Sequence, residues 1–394
     1  MIKISFVGDV TCDRPFLQAA NKEDGYDFTG AFEHISDVLK SSDYAVGNLE
    51  TTFCGDKVAY NKGIHYNTPD SFVDELKRSG LNLFTTANNH CFDGGMDGLL
   101  RTRKIMLDNG FELTGTYSDK VDNAFLVKSI GGIKIAFVSY TYSVNMYSDI
   151  KIPDNVNDYI NLLRPCKSQP YKKRLFDKLF SYNLRRKIKI LLGRPTISSY
   201  TDKFHPSLVS QEYLNRISEQ IKKAKSEADL VVFCLHIGGQ FNETPGEYSE
   251  YVMNFLKEQG VDVVIGHHPH TIQKTVTEYN SRIYAYSLGG FNLSPSAIYI
   301  NHECKPEYSQ ILNIYIDENS KEIVKCGFSF AKVVEDENAF LSVIPASDLY
   351  RSCDDKAKEE LLNDIKSLYI RITGKEHTHT FVCDEYVLFD LIRS

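Results

Sequence analysis

Short apolar runs that end in polar residues recur along the chain, and the stretches between them space their apolar residues three and four apart. The first run, "IKISFVGD" at positions 2–9, is β-rich and closes on Gly8 and Asp9. After it, "AFEHISDVLKSS" places Phe32, Ile35, Val38 and Leu39 on one face of a helix. "YAVGNLE" predicts a second short strand, "SFVDELKRSG" a helix stopped by Gly80, and "LNLFTTANNH" a third strand with a polar tip. The alternation continues with a helix around "GLLRTRKIMLDNG", a strand at "IKIAFVSYTY" and a helix over Val209 to Ala228. Strands "DLVVFCLH" and "VDVVIGH" follow, separated by the helix "YSEYVMNFLKEQG".

Strands alternating with helices predict an α/β layered fold. The later runs "RIYAYSLG", "SQILNIYID" and "IVKCGFSFAKV" have no helix between them, which predicts an antiparallel flank and so a mixed sandwich rather than a doubly wound sheet. From about Val333 onward the tail reads as one helix, "KAKEELLNDIKSLYIRITG", with short strands and no assignable chemistry.

The apolar runs all end in the same kind of place. Gly8-Asp9, Gly47-Asn48-Leu49-Glu50, Asn88-Asn89-His90, His236 and Gly266-His267-His268-Pro269-His270 each sit at the C-terminal end of a strand. In layered α/β folds ligand sites gather at that edge. Taken singly, Asp9 reads as a turn or helix cap and His236 as a hydrogen-bonded core histidine. Together the segments bring carboxylate and amide oxygens and imidazole nitrogens to one edge. That donor set suits Mn, Fe, Zn or Mg rather than a thiolate zinc site.

Composition narrows the class. With 394 residues, 42% hydrophobic and 25% charged, the chain can bury one large core or two smaller ones, which excludes wholesale disorder. It starts without a basic segment leading into a long apolar one, and no run approaches about 18 apolar residues, so a cytoplasmic protein is expected. Nine scattered cysteines without a C-x-x-C pair point to reduced thiols and against a disulfide framework.

Charge is concentrated. Residues 167–194 carry ten Lys or Arg against Asp177 alone, a balance of +9, while the remainder has 35 basic and 51 acidic residues, or −16. Leu175, Phe176, Leu179, Phe180, Leu184, Ile188, Leu191 and Leu192 recur there at helical spacing, the pattern of an amphipathic basic helix. Such a helix would concentrate an anionic polymer or sit on an anionic membrane surface, making the protein membrane-peripheral. A specific nucleic-acid partner is not expected from the acidic remainder.

The order of strand-end motifs, followed by "YSLGGF" at Tyr286 to Phe291, resembles the bacterial capsule-synthesis CapA family, also called the poly-gamma-glutamate synthesis family. The resemblance covers roughly residues 1–145 and 205–300. That family falls within the calcineurin-like metallophosphoesterases. The resemblance implies a four-layer α/β/β/α sandwich with mixed sheets and two divalent metal ions (Mn, Fe or Zn) at the strand ends. It implies a metal shell of Asp9, Glu50, Asn89, His236, His268 and His270, with His90 as the catalytic proton donor or transition-state hydrogen-bond donor, Asn48 as a substrate contact, and His267 as a substrate contact or a residue supporting the ligands from behind. The expected organisation is a domain over 1–330, interrupted by a basic insertion at 146–204, and a C-terminal extension at 331–394.

Some positions depart from the pattern. Asp9 is followed by Val10 and Thr11, not by the Asp-x-His of the superfamily, so the first segment lacks an imidazole. Gly47 precedes Asn48, and the nearest acid is Glu50; Gln240 and Gly290 stand where the family usually has Glu and Asn. The function implied is metal-dependent hydrolysis of a phosphoester or amide in capsule, polysaccharide or poly-gamma-glutamate metabolism, with an anionic polymer or a phosphorylated small molecule as substrate. The alternative is a non-catalytic accessory factor that binds an anionic polymer during capsule assembly or export.

Overall fold

A computed structural model describes residues 1–61, 65–121, 123–145, 150–166, 202–278 and 281–392, together with 184, 188 and 191. The amphipathic basic helix expected within 167–194 lies almost wholly outside the described residues.

In chain order the strands are Ile2–Val10 (β1), Asn21–Lys22 (β2), Gly25–Tyr26 (β3), Tyr44–Leu49 (β4), Leu83–Thr85 (β5), Glu112–Thr114 (β6), Phe125–Ile130 (β7) and Ile133–Thr141 (β8). They continue with Leu230–His236 (β9), Val263–His267 (β10), Thr275–Glu278 (β11), Arg282–Ala285 (β12), Tyr308–Ile316 (β13), Ile323–Glu335 (β14), Leu341–Pro345 (β15) and Tyr386–Asp390 (β16). The helices are Arg14–Ala19 (α1), Glu33–Lys40 (α2), Phe72–Ser79 (α3), Gly95–Asp108 (α4), Gln211–Glu227 (α5), Glu247–Glu258 (α6), Ala346–Ser352 (α7) and Asp355–Thr373 (α8).

Two sheets form the centre. The larger has the order β15-β14-β13-β1-β4-β5-β6, with β16 beside β14; the smaller has the order β11-β12-β10-β9-β8-β7. In the larger sheet β1, β4, β5 and β6 are parallel, and β13, β14 and β15 extend it antiparallel. In the smaller sheet β8, β9, β10 and β12 are parallel between antiparallel edges. The mixed sandwich expected from the sequence is the architecture observed.

Strand periodicity builds the layers. On β9, Val232 and Cys234 face the core between the sheets with Ile4 and Phe6 of β1 and Val263 and Ile265 of β10. The intervening Val231, Phe233 and Leu235 face outward to Ile217 and Ile221 of α5 and Val252 and Leu256 of α6. Ile35 and Leu39 of α2 and Phe72 and Leu76 of α3 cover the outer face of the larger sheet. Strands buried on both faces read as continuous apolar runs, which is why these were conspicuous in the sequence. The C-terminal helix α8 sends Leu361, Ile365, Leu368 and Ile372, spaced as one helical face, into the central core against Phe328 and Phe330.

The two sheets are joined by backbone where the polar strand ends lie. Asp9 N–H donates to Gly289 O at 3.0 Å and Phe291 N–H to Asp9 O at 2.8 Å, tying β1 to the segment after β12. A Cβ on Gly8 would stand 1.9 Å from Gly289 O, and one on Gly266 would stand 1.9 Å from Tyr286 O. Only glycine permits so close an approach. Among the described residues no helix is long and apolar enough to cross a membrane.

Candidate metal centre

The carboxyl ends of β1, β4, β9 and β10 and the loop after β5 meet at one buried cluster. Asp9, Glu50, Asn89, His236, His267, His268 and His270 are all under one-tenth exposed, as are Asn48 and His90. Every site residue expected from the sequence is therefore within this neighbourhood.

Asp9 anchors one side. Its Oδ1 accepts from Asn48 Nδ2 at 2.8 Å, and its Oδ2 accepts from the His268 backbone N–H at 3.0 Å. His270 Nδ1 lies 3.2 Å from Oδ2 and His267 Nδ1 lies 3.4 Å from Oδ1. Burial alone would raise the Asp9 carboxyl, but the adjacent His267 and His270 imidazoles prevail and hold it well below the usual carboxylate range.

Glu50 occupies the centre. Its Oε1 lies 3.6 Å from His236 Nε2, 3.7 Å from His270 Nε2 and 4.0 Å from His90 Nε2. Both carboxylate oxygens are buried without a hydrogen-bond partner. Burial, followed by the charges of Asp9 and Asp93, pushes the Glu50 carboxyl well above its ordinary value.

On the other side, His236 Nε2 lies 2.7 Å from Asn89 Oδ1 and 3.1 Å from His268 Nδ1. Burial holds the His236 imidazole well below its ordinary pKa and lowers that of His268 to about 3. Both rings are therefore neutral at pH 7, the state in which an imidazole nitrogen can ligate a cation.

Two sets of donor atoms lie within 4.8 Å of one another: Glu50 with His236 and His268, and Asp9 with Glu50 and His270. Glu50 is common to both. Orphaned carboxylate oxygens converging with imidazole nitrogens fit divalent cations, and a cation between them would reverse the cost of burying Glu50.

His90 stands at the edge of the cluster. Its Nδ1 lies 2.6 Å from Asp93 Oδ2 and 3.1 Å from Asn145 Nδ2, and its Nε2 faces Glu50. Asp93 is further held by the Tyr66 N–H at 2.7 Å and Asn145 Nδ2 at 2.6 Å. Burial would raise Asp93, but the His90 and His65 imidazoles and the Tyr66 N–H lower it. The Tyr66 ring lies against His90, with centroids 4.3 Å apart.

Sequence reasoning did not single out Asp93, Tyr66 or Asn145. Asp93 had a signal, an acid three residues after His90, whereas Tyr66 and Asn145 belong to segments with no periodic pattern. Asn48, expected to touch substrate, lies beneath Asp9, donating to it and accepting from Thr85 Oγ1 at 3.1 Å.

The family model for the bacterial capsule synthesis protein PGA_cap matches residues 3–294. The chain belongs to this family. It is 25% identical over 295 residues to the capsule biosynthesis protein CapA of Bacillus anthracis, an alignment covering 74% of this chain and 59% of that protein. It is 24% identical over 295 residues to the PGA biosynthesis protein CapA of Bacillus subtilis (strain 168), covering 74% and 63% respectively. A protein of Sinorhizobium fredii described as uncharacterized, y4sH, is 25% identical over 314 residues, covering 72% and 64%. The chain thus spans less than two thirds of the relatives it matches. The family match includes the whole donor cluster and ends before β13.

Proposed function

We propose that the protein is a metal-dependent hydrolase of a phosphoester or amide bond that serves capsule or poly-gamma-glutamate biosynthesis. The observation that carries this reading is Glu50, a buried carboxylate with both oxygens unpaired, shared by two donor sets on the sandwich edge. Family membership supports the biological role.

In this reading Asp9, Glu50, Asn89, His236, His268 and His270 would hold two divalent ions. Two such ions would acidify water and neutralise negative charge developing on the substrate, the main demands of phosphoryl and acyl hydrolysis. His90, held at Nδ1 by Asp93, presents Nε2 toward the same space and delivers a proton to the departing oxygen or nitrogen. Asn48 orients Asp9, and buried His267 contributes to the charge balance at Asp9. The substrate class is an anionic polymer or a phosphorylated small molecule.

Elemental analysis of protein purified without chelator, followed by a phosphatase and amidase screen with added Mn²⁺, tests the proposal. Bound metal and turnover that both vanish in Asp9→Ala are expected. Metal-free wild type would remove the reading. Tight binding of an anionic polymer by metal-loaded protein without turnover would instead make it an accessory factor.

A further inference from the structure

The loop carrying the clustered histidines is held in an unusual shape. His268 has φ 95° and His270 has φ 55°, both in the left-handed region. Such backbone costs on the order of 1–3 kcal/mol per residue and persists only where the surroundings over-determine it. On one side the bracing is local: Asp9 accepts from the His268 N–H, and the Phe241 N–H donates to Pro269 O at 2.7 Å.

On the other side it comes from the last turn of α8, beyond the segment matched by the family. The Arg371 side chain is 12% exposed, and its Nη1 donates to Thr271 Oγ1 at 3.1 Å and to Cys304 O at 3.0 Å, with Ile272 O at 3.5 Å. Its Nη2 pairs with Glu243. Thr271 Oγ1 in turn donates to Cys304 O at 2.6 Å. One guanidinium therefore joins the residue after His270, the loop after β9 and the turn around Cys304. Its own position is fixed, because Leu368 and Ile372 beside it are buried in the central core. Asp364 of the same helix accepts from Tyr308 Oη at 2.8 Å and pairs with Lys305.

We infer that Arg371 is a positioning residue for the metal centre, holding the His268–His270 loop in its ligand-presenting conformation from a helix that the family match does not reach. The inference rests on the metal-hydrolase reading above. The planar, forked guanidinium serves three acceptors at once, which a lysine ammonium cannot reproduce in the same plane.

The test uses the full chain with Arg371→Met, which keeps the apolar stem, alongside Arg371→Lys, Thr271→Val and Glu243→Gln. Mn²⁺ affinity is measured calorimetrically on chelator-treated, dialysed protein, and amide exchange across residues 266–272 by mass spectrometry. Loss of a group that orients metal ligands weakens metal binding by about 10- to 100-fold, and that loss is expected for Arg371→Met. Faster exchange at the loop amides is expected with it, while far-ultraviolet circular dichroism stays unchanged. Arg371→Lys should fall between, and Glu243→Gln should stay near wild type because the bonds to Thr271 and Cys304 survive.

Thr271→Val removes only the hydroxyl and keeps the idea testable if the arginine variants do not fold. It should weaken Mn²⁺ in the same direction, and combined with Arg371→Met should add little further loss. Wild-type affinity and loop protection in Arg371→Met, or wild-type affinity in Thr271→Val, overturns the role of Arg371 alone. A wild-type protein that binds no Mn²⁺ overturns the metal reading together with it.

Discussion

Replacing Glu50 by glutamine should make the metal-free protein more stable and the metal-treated protein less responsive. The carboxylate is fully buried and both oxygens lack partners. An uncompensated buried charge costs about 3–5 kcal/mol, and the amide removes it. The amide brings two new donors, and leaving them unpaired costs about 1–3 kcal/mol. The net expectation in chelator is a gain of about 2 kcal/mol, or roughly 4 °C in Tm at about 2 °C per kcal/mol for a chain of this size.

With Mn²⁺ at a hundred times its Kd, wild type should gain about 2.7 kcal/mol, or roughly 5 °C, and the variant little. The order of the two melting temperatures therefore inverts between chelator and Mn²⁺. The pH dependence has a definite sign. A carboxyl raised by folding imposes its cost above the ordinary value of 4.5, so the advantage of Glu50→Gln in chelator should shrink as pH falls toward 4. Differential scanning fluorimetry across this grid of conditions is sufficient. A variant less stable than wild type in chelator, with an undiminished response to Mn²⁺, refutes the reasoning.

Three further outcomes follow. His90→Ala should lower turnover by about 10²- to 10⁴-fold while metal content by elemental analysis stays near wild type, as proton transfer rather than ligation requires; equal losses of both would make His90 a ligand. Burial raises the Asp13 carboxyl from 3.8 to about 6, so the stability of wild type relative to Asp13→Asn should fall by about 2.4 kcal/mol as pH rises from 4 to 7, checked by urea unfolding. Changing Arg185, Arg186, Lys187 and Lys189 together to Glu should abolish salt-sensitive cosedimentation with anionic vesicles, since that attraction is screened as the Debye length shortens from about 10 Å to 3 Å; unchanged binding would reduce the basic block to a solvated surface.

Much of the donor cluster was legible because strands buried on both faces announce themselves as apolar runs, and the residues that break those runs are the ones delivered to the sheet edge. Asp9, Glu50, His236 and the histidines after Gly266 were readable in this way. The brace around His90 was not, because Tyr66 and Asn145 approach Asp93 across loops whose residues carry no period. Arg371 was invisible for a related reason: it lies 101 positions after His270 by residue number, and on the sequence it is only one more charge on an amphipathic helix. The left-handed backbone at His268 and His270 could not be read either, since non-glycine residues give no sequence sign of it. The short β6 escaped notice because three residues offer too little alternation to recognise.

Gly8 turns the seam between β1 and the segment after β12 into a gauge block. With main-chain atoms meeting carbonyl oxygens directly, the width of the gap at the strand ends is set by covalent geometry, not by side chains that mutation can trim or enlarge. Ligand identity and spacing are thereby decoupled: exchanging a histidine for another donor retunes which cation is preferred, whereas even one methyl group at Gly8 would wedge β1 away from the segment after β12. A saturation library over this chain should show tolerance at individual donors under a suitable metal and almost none at position 8 under any.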